Sequence, residues 1–202
     1  MTSNWHRWLY CSCFLGSLIA SISCTSHPSK SPPLAAQKTS DSSAVDFILP
    51  EYEILDTLKG DLNGDAYADM LLLMRHQHES QSNENLERPL FILLGSATGY
   101  RLGAMSRTAV YCHLCGGVMG DPYTGMQIDS TGTFTISHYG GSNWRWTRNL
   151  TFRFDKESKD WLLFQDVSES FSVFDEQDIQ VDTRTTKDFG QLSISSFNIN
   201  EE

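Results

Sequence analysis

The chain has 202 residues, of which 40% are hydrophobic and 11% aromatic, enough for a leader and one globular domain with a real core. A formal net charge of −10 excludes a nucleic-acid-binding role, since phosphate contacts need clustered Lys and Arg. No repeat of the propeller or solenoid kind runs through the sequence.

The N-terminus reads as an address. Residues 1–13 carry His6 and Arg7 and no acid, and Phe14 to Ile22 form a short apolar run of signal-peptide size. That run is shorter than the ~20 apolar residues a transmembrane helix needs. An ordinary cleaved signal and an uncleaved anchor both fit these residues. The ending Leu18-Ile-Ala-Ser-Ile-Ser-Cys24 resembles the processing site of bacterial lipoproteins, with Ser21 in place of the usual Leu. The resemblance implies a lipoprotein signal peptide over residues 1–23 and a diacylated, palmitate-bearing Cys24 as the mature N-terminus. Two or more acyl chains hold a protein stably on a membrane. Thr25 and Ser26 follow the Cys, and neither resembles the Asp of an inner-membrane retention signal. The implied location is the cell envelope, on an outer membrane and facing the periplasm or the surface.

Residues 24–44 are mostly Ser, Thr, Pro, Lys and Ala. Such a stretch buries too little to fold and reads as a disordered tether. A β domain is expected over residues 45–202, where 24 acidic residues face 12 basic ones.

Within it, Tyr52 to Asp56 predicts a strand, and the apolar run Met70 to Met74 returns as its hairpin partner. His76 to Arg88 is polar and predicts a mobile surface loop. His76 and His78 alternate there without further local ligands, so they read as solvated surface histidines. Pro89 to Leu94 predicts a buried strand that ends at Gly95-Ser-Ala-Thr-Gly99. Tyr100 to Met105 and Thr108 to Tyr111 add strand material. No span of ten residues keeps a 3.6-residue apolar period, so helices should be few and short. Phe134 and Ile136 share one face of the next strand. Trp144, Trp146, Leu150, Phe152 and Phe154 share one face of the strand after the Tyr139-Gly-Gly-Ser142 turn. Trp161 to Phe164 completes three antiparallel strands with one buried face. Phe171 to Phe174, Ile179 to Val181 and Leu192 to Ile199 are expected as edge strands. The fold class is therefore mainly β: a single antiparallel domain, sandwich-like or a propeller fragment.

One loop stands out. In Lys59-Gly-Asp-Leu-Asn-Gly-Asp-Ala-Tyr-Ala-Asp69, the residues Asp61, Asn63, Asp65 and Asp69 sit at relative positions 1, 3, 5 and 9. That spacing turns oxygens inward onto one hard cation, with the Tyr67 carbonyl as a further donor. Leu72 stands where an EF-hand needs its bidentate Glu, and Ala66 stands where the sharp turn favours Gly. A polar turn with no ion is the other reading of the same residues. The segment resembles the Asp-x-Asn-x-Asp-Gly-x-x-Asp hairpin loop of FG-GAP-type repeats, which implies calcium held by Asp61, Asn63, Asp65 and Asp69.

Five cysteines are present, and Cys11, Cys13 and Cys24 belong to the N-terminal address. Cys112 and Cys115 remain. No second pair exists for a zinc ribbon, and two glycines follow where a helix would lower a thiol pKa. Outside the cytoplasm such a pair is most simply a disulfide; a redox-active pair and free or metal-bound thiols are the alternatives. Cys112-x-x-Cys-Gly-Gly-Val-Met-Gly-Asp-Pro122 and Tyr139-Gly-Gly-Ser-Asn-Trp-Arg-Trp146, together with the Asp61 loop, resemble a family of uncharacterised bacterial secreted proteins and lipoproteins. The likeness covers about residues 47–166. It implies one compact β domain that holds all three motifs, and it supplies no activity.

Asp121, His113, His138, Arg145 and Arg148 are polar groups near these Gly-rich turns. Arg148 interrupts an apolar strand face, so a buried partner such as an Asp is expected. Trp144 and Trp146 read either as core or as a platform for a sugar or peptide. There is no Ser-His-Asp order, no His-Glu-x-x-His and no phosphate loop, so the pattern leans away from an enzyme. The expected function is a membrane-tethered envelope lipoprotein with a structural calcium loop and a binding or assembly role toward an envelope protein or glycan. The alternative is an envelope enzyme or thiol-redox protein that uses Cys112 and Cys115.

Overall fold

The structure is a computed structural model, and it describes residues 42–201. The expected signal peptide, the lipidation residue Cys24 and the tether up to residue 41 lie outside the described residues. Among the described residues, nine strands make two antiparallel sheets. The first holds β1 (Tyr52–Gly60), β2 (Asp69–His76), β3 (Leu90–Gly95) and β4 (Tyr100–Ser106). The second holds β5 (Tyr123–Ile128), β6 (Phe134–Gly141), β7 (Trp144–Asp155), β8 (Asp160–Ser172) and β9 (Asp175–Thr185). Each strand pairs with its sequence neighbour, so both sheets are meanders. The mainly β fold expected from the sequence is what the chain adopts. The helix α1 (Thr186–Phe189) is one turn long, and among the described residues no helix is long and apolar enough to cross a membrane.

The central strands β2 and β3 of the first sheet are buried on both faces, which is why they read as unbroken apolar runs. Leu71, Leu73, Leu90, Ile92 and Leu94 face the second sheet, where they meet Phe134, Ile136, Leu150, Phe152, Trp161 and Leu163. Met70, Leu72, Met74, Phe91 and Leu93 face the other way and are covered by Ala44, Phe47, Ile48 and Leu49. The covering segment starts early: Ser42 already bridges to Tyr100, so residues 42–44, tether by composition, join the domain.

Three segments differ from expectation. Thr108 to Tyr111 is an irregular bend rather than a strand, because Ala109 and Val110 turn into the core. Leu192 to Ile199 makes one isolated bridge, Ser193 to Leu162, and otherwise plugs the core with Ile194, Phe197 and Ile199. Ile194 and Phe197 stand three apart, which breaks the period of two that a strand needs. Phe171 and Ile179 are parts of two long paired strands, β8 and β9, rather than of short separate ones.

The segment expected as a mobile loop is anchored instead. Arg88 is fully buried and carries two bidentate pairs. Its Nε and Nη2 donate to Glu79 at 2.7 and 2.8 Å. Its Nη1 and Nη2 donate to Asp121 at 2.7 and 2.6 Å. Glu79 is also buried. Removing one member of such a group strands a buried charge, at a cost of about 3–5 kcal/mol. Arg88→Met should therefore lower the unfolding free energy by about 3–5 kcal/mol in urea denaturation. Arg88→Lys should recover little of it, because an ammonium cannot hold two carboxylates bidentately.

Candidate functional site

Three constellations carry chemistry, and β6 separates two of them. The Asp61–Asp69 loop joins β1 to β2 and leans on the β5–β6 turn, where a side chain at Gly132 would collide with the Asp61 carbonyl. The Gly-rich turns lie at the far end of β6, about 23 Å away at 3.3 Å per residue.

In the loop, Asp61 Oδ1 accepts from the amides of Gly64 and Asp65 at 2.7 and 3.2 Å, and Oδ2 accepts from Ala66 at 3.0 Å. Asn63 Oδ1 accepts from the Asp65 amide at 2.9 Å, and Asp65 Oδ1 accepts from the Tyr67 amide at 2.9 Å. Asp69 is fully buried, and its two oxygens accept from the amides of Leu62 and Gly95 at 2.9 and 2.8 Å. Asp69 thus ties the loop to the end of β3. Burial raises its pKa, the Gly95 and Leu62 amides partly offset this, and the charges of Asp65 and Asp61 push it further up. The Asp61 carboxyl, against slight burial, is held low by four backbone amides. Ala66 takes φ 68°, so the sixth position is left-handed even without Gly. Among the described residues, no Lys, Arg or His pairs with Asp61, Asp65 or Asp69. Hard oxygen donors that repel one another and lack a cationic partner suit a calcium ion.

The second constellation brings the two Gly-rich motifs together. Cys112 and Cys115 are joined in a disulfide across a four-residue 3₁₀ turn. Gly117 then bridges to Gly141, and a side chain at Gly140 would strike the Trp146 ring. Next to them, His113 Nδ1 lies 3.5 Å from Asp121 Oδ2, and its ligand atom groups with those of Glu79 and Asp121 within 4.8 Å. Arg88 already fills that centre with positive charge, which leaves the cluster poorly suited to a cation. Burial works against Asp121, but the Arg88 guanidinium, the Tyr123 amide and His113 hold its carboxyl below the usual range.

The third constellation is a cleft on the inner face of the second sheet, beyond the reach of the first. Arg148 and Asp166 sit at its floor, and the Asp partner expected for Arg148 is this one. Arg148 Nε and Nη2 donate to Asp166 at 3.1 and 2.8 Å. Its Nη1 donates to the Tyr111 hydroxyl and the Ile199 carbonyl, both at 2.9 Å. Trp146 forms one wall and meets Tyr111 edge to face, with ring centroids 5.5 Å apart. Of the aromatic face read from the sequence, Phe152 is core, Trp146 is half-buried and Trp144 is 55% exposed at the turn. The hollow measures about 490 Å³, and its rim carries Ser168, Asp182 and Arg184. Glu79, Arg88, Asp182 and Arg184 gave no signal in the sequence, since each is a lone charge in a polar stretch.

No protein-family model matches the chain, and neither a curated protein nor a solved structure matches it.

His138 lies between the constellations, buried against Tyr111 and Tyr123. Burial pushes its pKa down to about 4, with the charges of Arg148 and Arg88 adding to the effect. Unfolded, the imidazole takes a proton near pH 6.5. The native state is therefore penalised as pH falls from about 6.5 to about 4, by on the order of 3 kcal/mol. Stability measured across that window should fall with pH, and His138→Gln should remove this part of the slope.

Proposed function

We propose that this chain is a non-enzymatic binding module, tethered to a bacterial cell envelope through lipidated Cys24, with calcium held structurally in the Asp61–Asp69 loop. The observation that carries the reading is the Asp69 clamp. A buried, charge-raised carboxylate that bonds the loop to two strand ends gains most from a cation beside it. Asp61, Asn63, Asp65, Asp69 and the Tyr67 carbonyl would hold the ion, which supplies charge neutralisation and rigidity rather than reaction chemistry. The signal-like N-terminus and the Cys112–Cys115 disulfide agree with an oxidising compartment. The thiol-redox alternative is weaker. Cys112 is buried, and the four-residue 3₁₀ turn that follows it and contains Cys115 is too short for a helix dipole to act on either sulfur.

Calcium added to chelator-stripped protein should raise Tm saturably. At 100 times Kd the stabilisation should reach about 2.7 kcal/mol. Asp61→Ala should abolish the shift, and Ala66→Gly should raise the starting Tm by relieving the left-handed Ala. A melt that calcium leaves unmoved would refute the loop assignment. Separately, a palmitate analogue fed to expressing cells should label the protein and fail to label Cys24→Ser; equal labelling of both would refute the anchor.

A further inference from the structure

The cleft on the second sheet can be read further than a general binding role. The backbone of β7 and β8 is paired on both sides, and only β9, the outer strand of the sheet, keeps an unpaired edge. Over β7 and β8 recognition falls to side chains. Arg148 is consumed by Asp166, Tyr111 and Ile199, and so serves as floor. Asp182 and Arg184 are different: among the described residues, neither side chain makes a hydrogen bond or ion pair, although the Arg184 charge reaches Asp188. They alternate along β9, opposite Ser168 and Asp166 of β8, which puts them on the cleft face. The two arginines and two aspartates that line the hollow cancel in charge.

The hollow runs on past Trp146 into a neighbouring one of about 400 Å³, whose lining adds Ser170, Gln180 and the acidic Glu169. Trp146, Ser168 and Asp182 belong to both. The indole is backed by Gly140, where any side chain would displace it, and by Gly116 beyond. An indole fixed flat by glycines offers an apolar wall of defined orientation. Around it stand hydroxyls, an amide, a carboxylate and a guanidinium, a set that both donates and accepts. A ligand matched to this surface is elongated, uncharged, rich in hydroxyls that donate and accept, and apolar on one ring face.

We propose that the cleft between Trp146 and Arg184 binds a neutral glycan, with Trp146 as the stacking wall and Ser168, Asp182 and Arg184 as its hydrogen-bonding rim. The proposal rests on the binding-module reading above and names the ligand class for it. A strongly charged polymer is disfavoured because arginines and acids share the lining and leave it little net charge.

The test uses isotope-labelled full chain and two uncharged probes, the β-1,4-linked tetrasaccharides of N-acetylglucosamine and of glucose. The indole Nε1–H signal of Trp146, assigned by its loss in Trp146→Phe, should shift saturably with one of them. The Trp161 signal should stay still, because that residue is buried. Asp182→Ala, an exposed change that leaves the fold intact, should weaken binding about tenfold, and Trp146→Ala should weaken it further. Trp144→Ala should leave affinity unchanged. No saturable shift with either probe, or affinity unaltered by Asp182→Ala and Trp146→Ala, overturns the proposal. Binding of a basic or acidic peptide at Trp146 in place of both sugars overturns it as well. A calcium-shifted melt together with glycan failure leaves the tethered, ion-stabilised module standing and removes only the glycan.

Discussion

The site depends on one guanidinium. Arg88 sits just before β3 and reaches both Glu79 in its own loop and Asp121 at the end of the Gly-rich turn. That single side chain ties a polar connection of the first sheet to the entry of the second. Without it, the Cys112–Pro122 segment would lose its one buried ion pair and keep its disulfide, its glycine contacts and the Tyr139 amide bond to the Pro122 carbonyl. Everything on the inner face beyond His138 is placed by that segment: Tyr111 lies just ahead of the disulfide, and Gly116 backs Gly140 and Trp146. A buried ion group of this kind contributes little net stability compared with apolar packing, yet it makes one arrangement far better than its neighbours. Here it sets the register of a loop that has few apolar residues with which to set its own.

The sequence was most readable where one physical effect dominates. Strands β2 and β3, apolar on both faces, appear as solid hydrophobic runs. Strands β6 and β7 alternate cleanly because one face is core. The Arg148 to Asp166 pair could be anticipated from a charge lodged in an apolar stripe. Legibility fails where pairing overrides composition. Strand β5, with Gly125 at its centre, has weak β character and is held by β6 beside it. Strand β8 looked finished at Phe164, because the following Gln165-Asp-Val-Ser-Glu-Ser is mostly polar. It continues to Ser172 since β7 and β9 satisfy its backbone from both sides.

That failure coincides with the cleft. The polar residues that hid the second half of β8 and most of β9 are the ones that line it. A sheet face with no covering layer has no reason to be apolar, so the usual sequence mark of a strand vanishes where a surface is left open for something else. The burial of Arg88 was hidden for another reason: a lone charge carries no trace of a partner 33 positions away. The ion loop was legible as spacing, while the clamp that Asp69 places on Gly95 belongs to tertiary structure.

The plug formed by Ile194, Phe197 and Ile199 has a consequence for how the chain comes to be folded. Both meanders use only neighbouring pairings, so each sheet forms from local contacts and forms quickly. The inner face of the first sheet nevertheless stays open until the second sheet docks and the last residues close over the seam. A chain that emerges N-terminus first during synthesis presents Leu71, Leu73, Leu90 and Ile92 to water for the whole interval before its final segment emerges. Such a chain is sticky for as long as it is incomplete. Truncation near the C-terminus therefore leaves the seam between the sheets uncovered, although the lost residues make no sheet of their own.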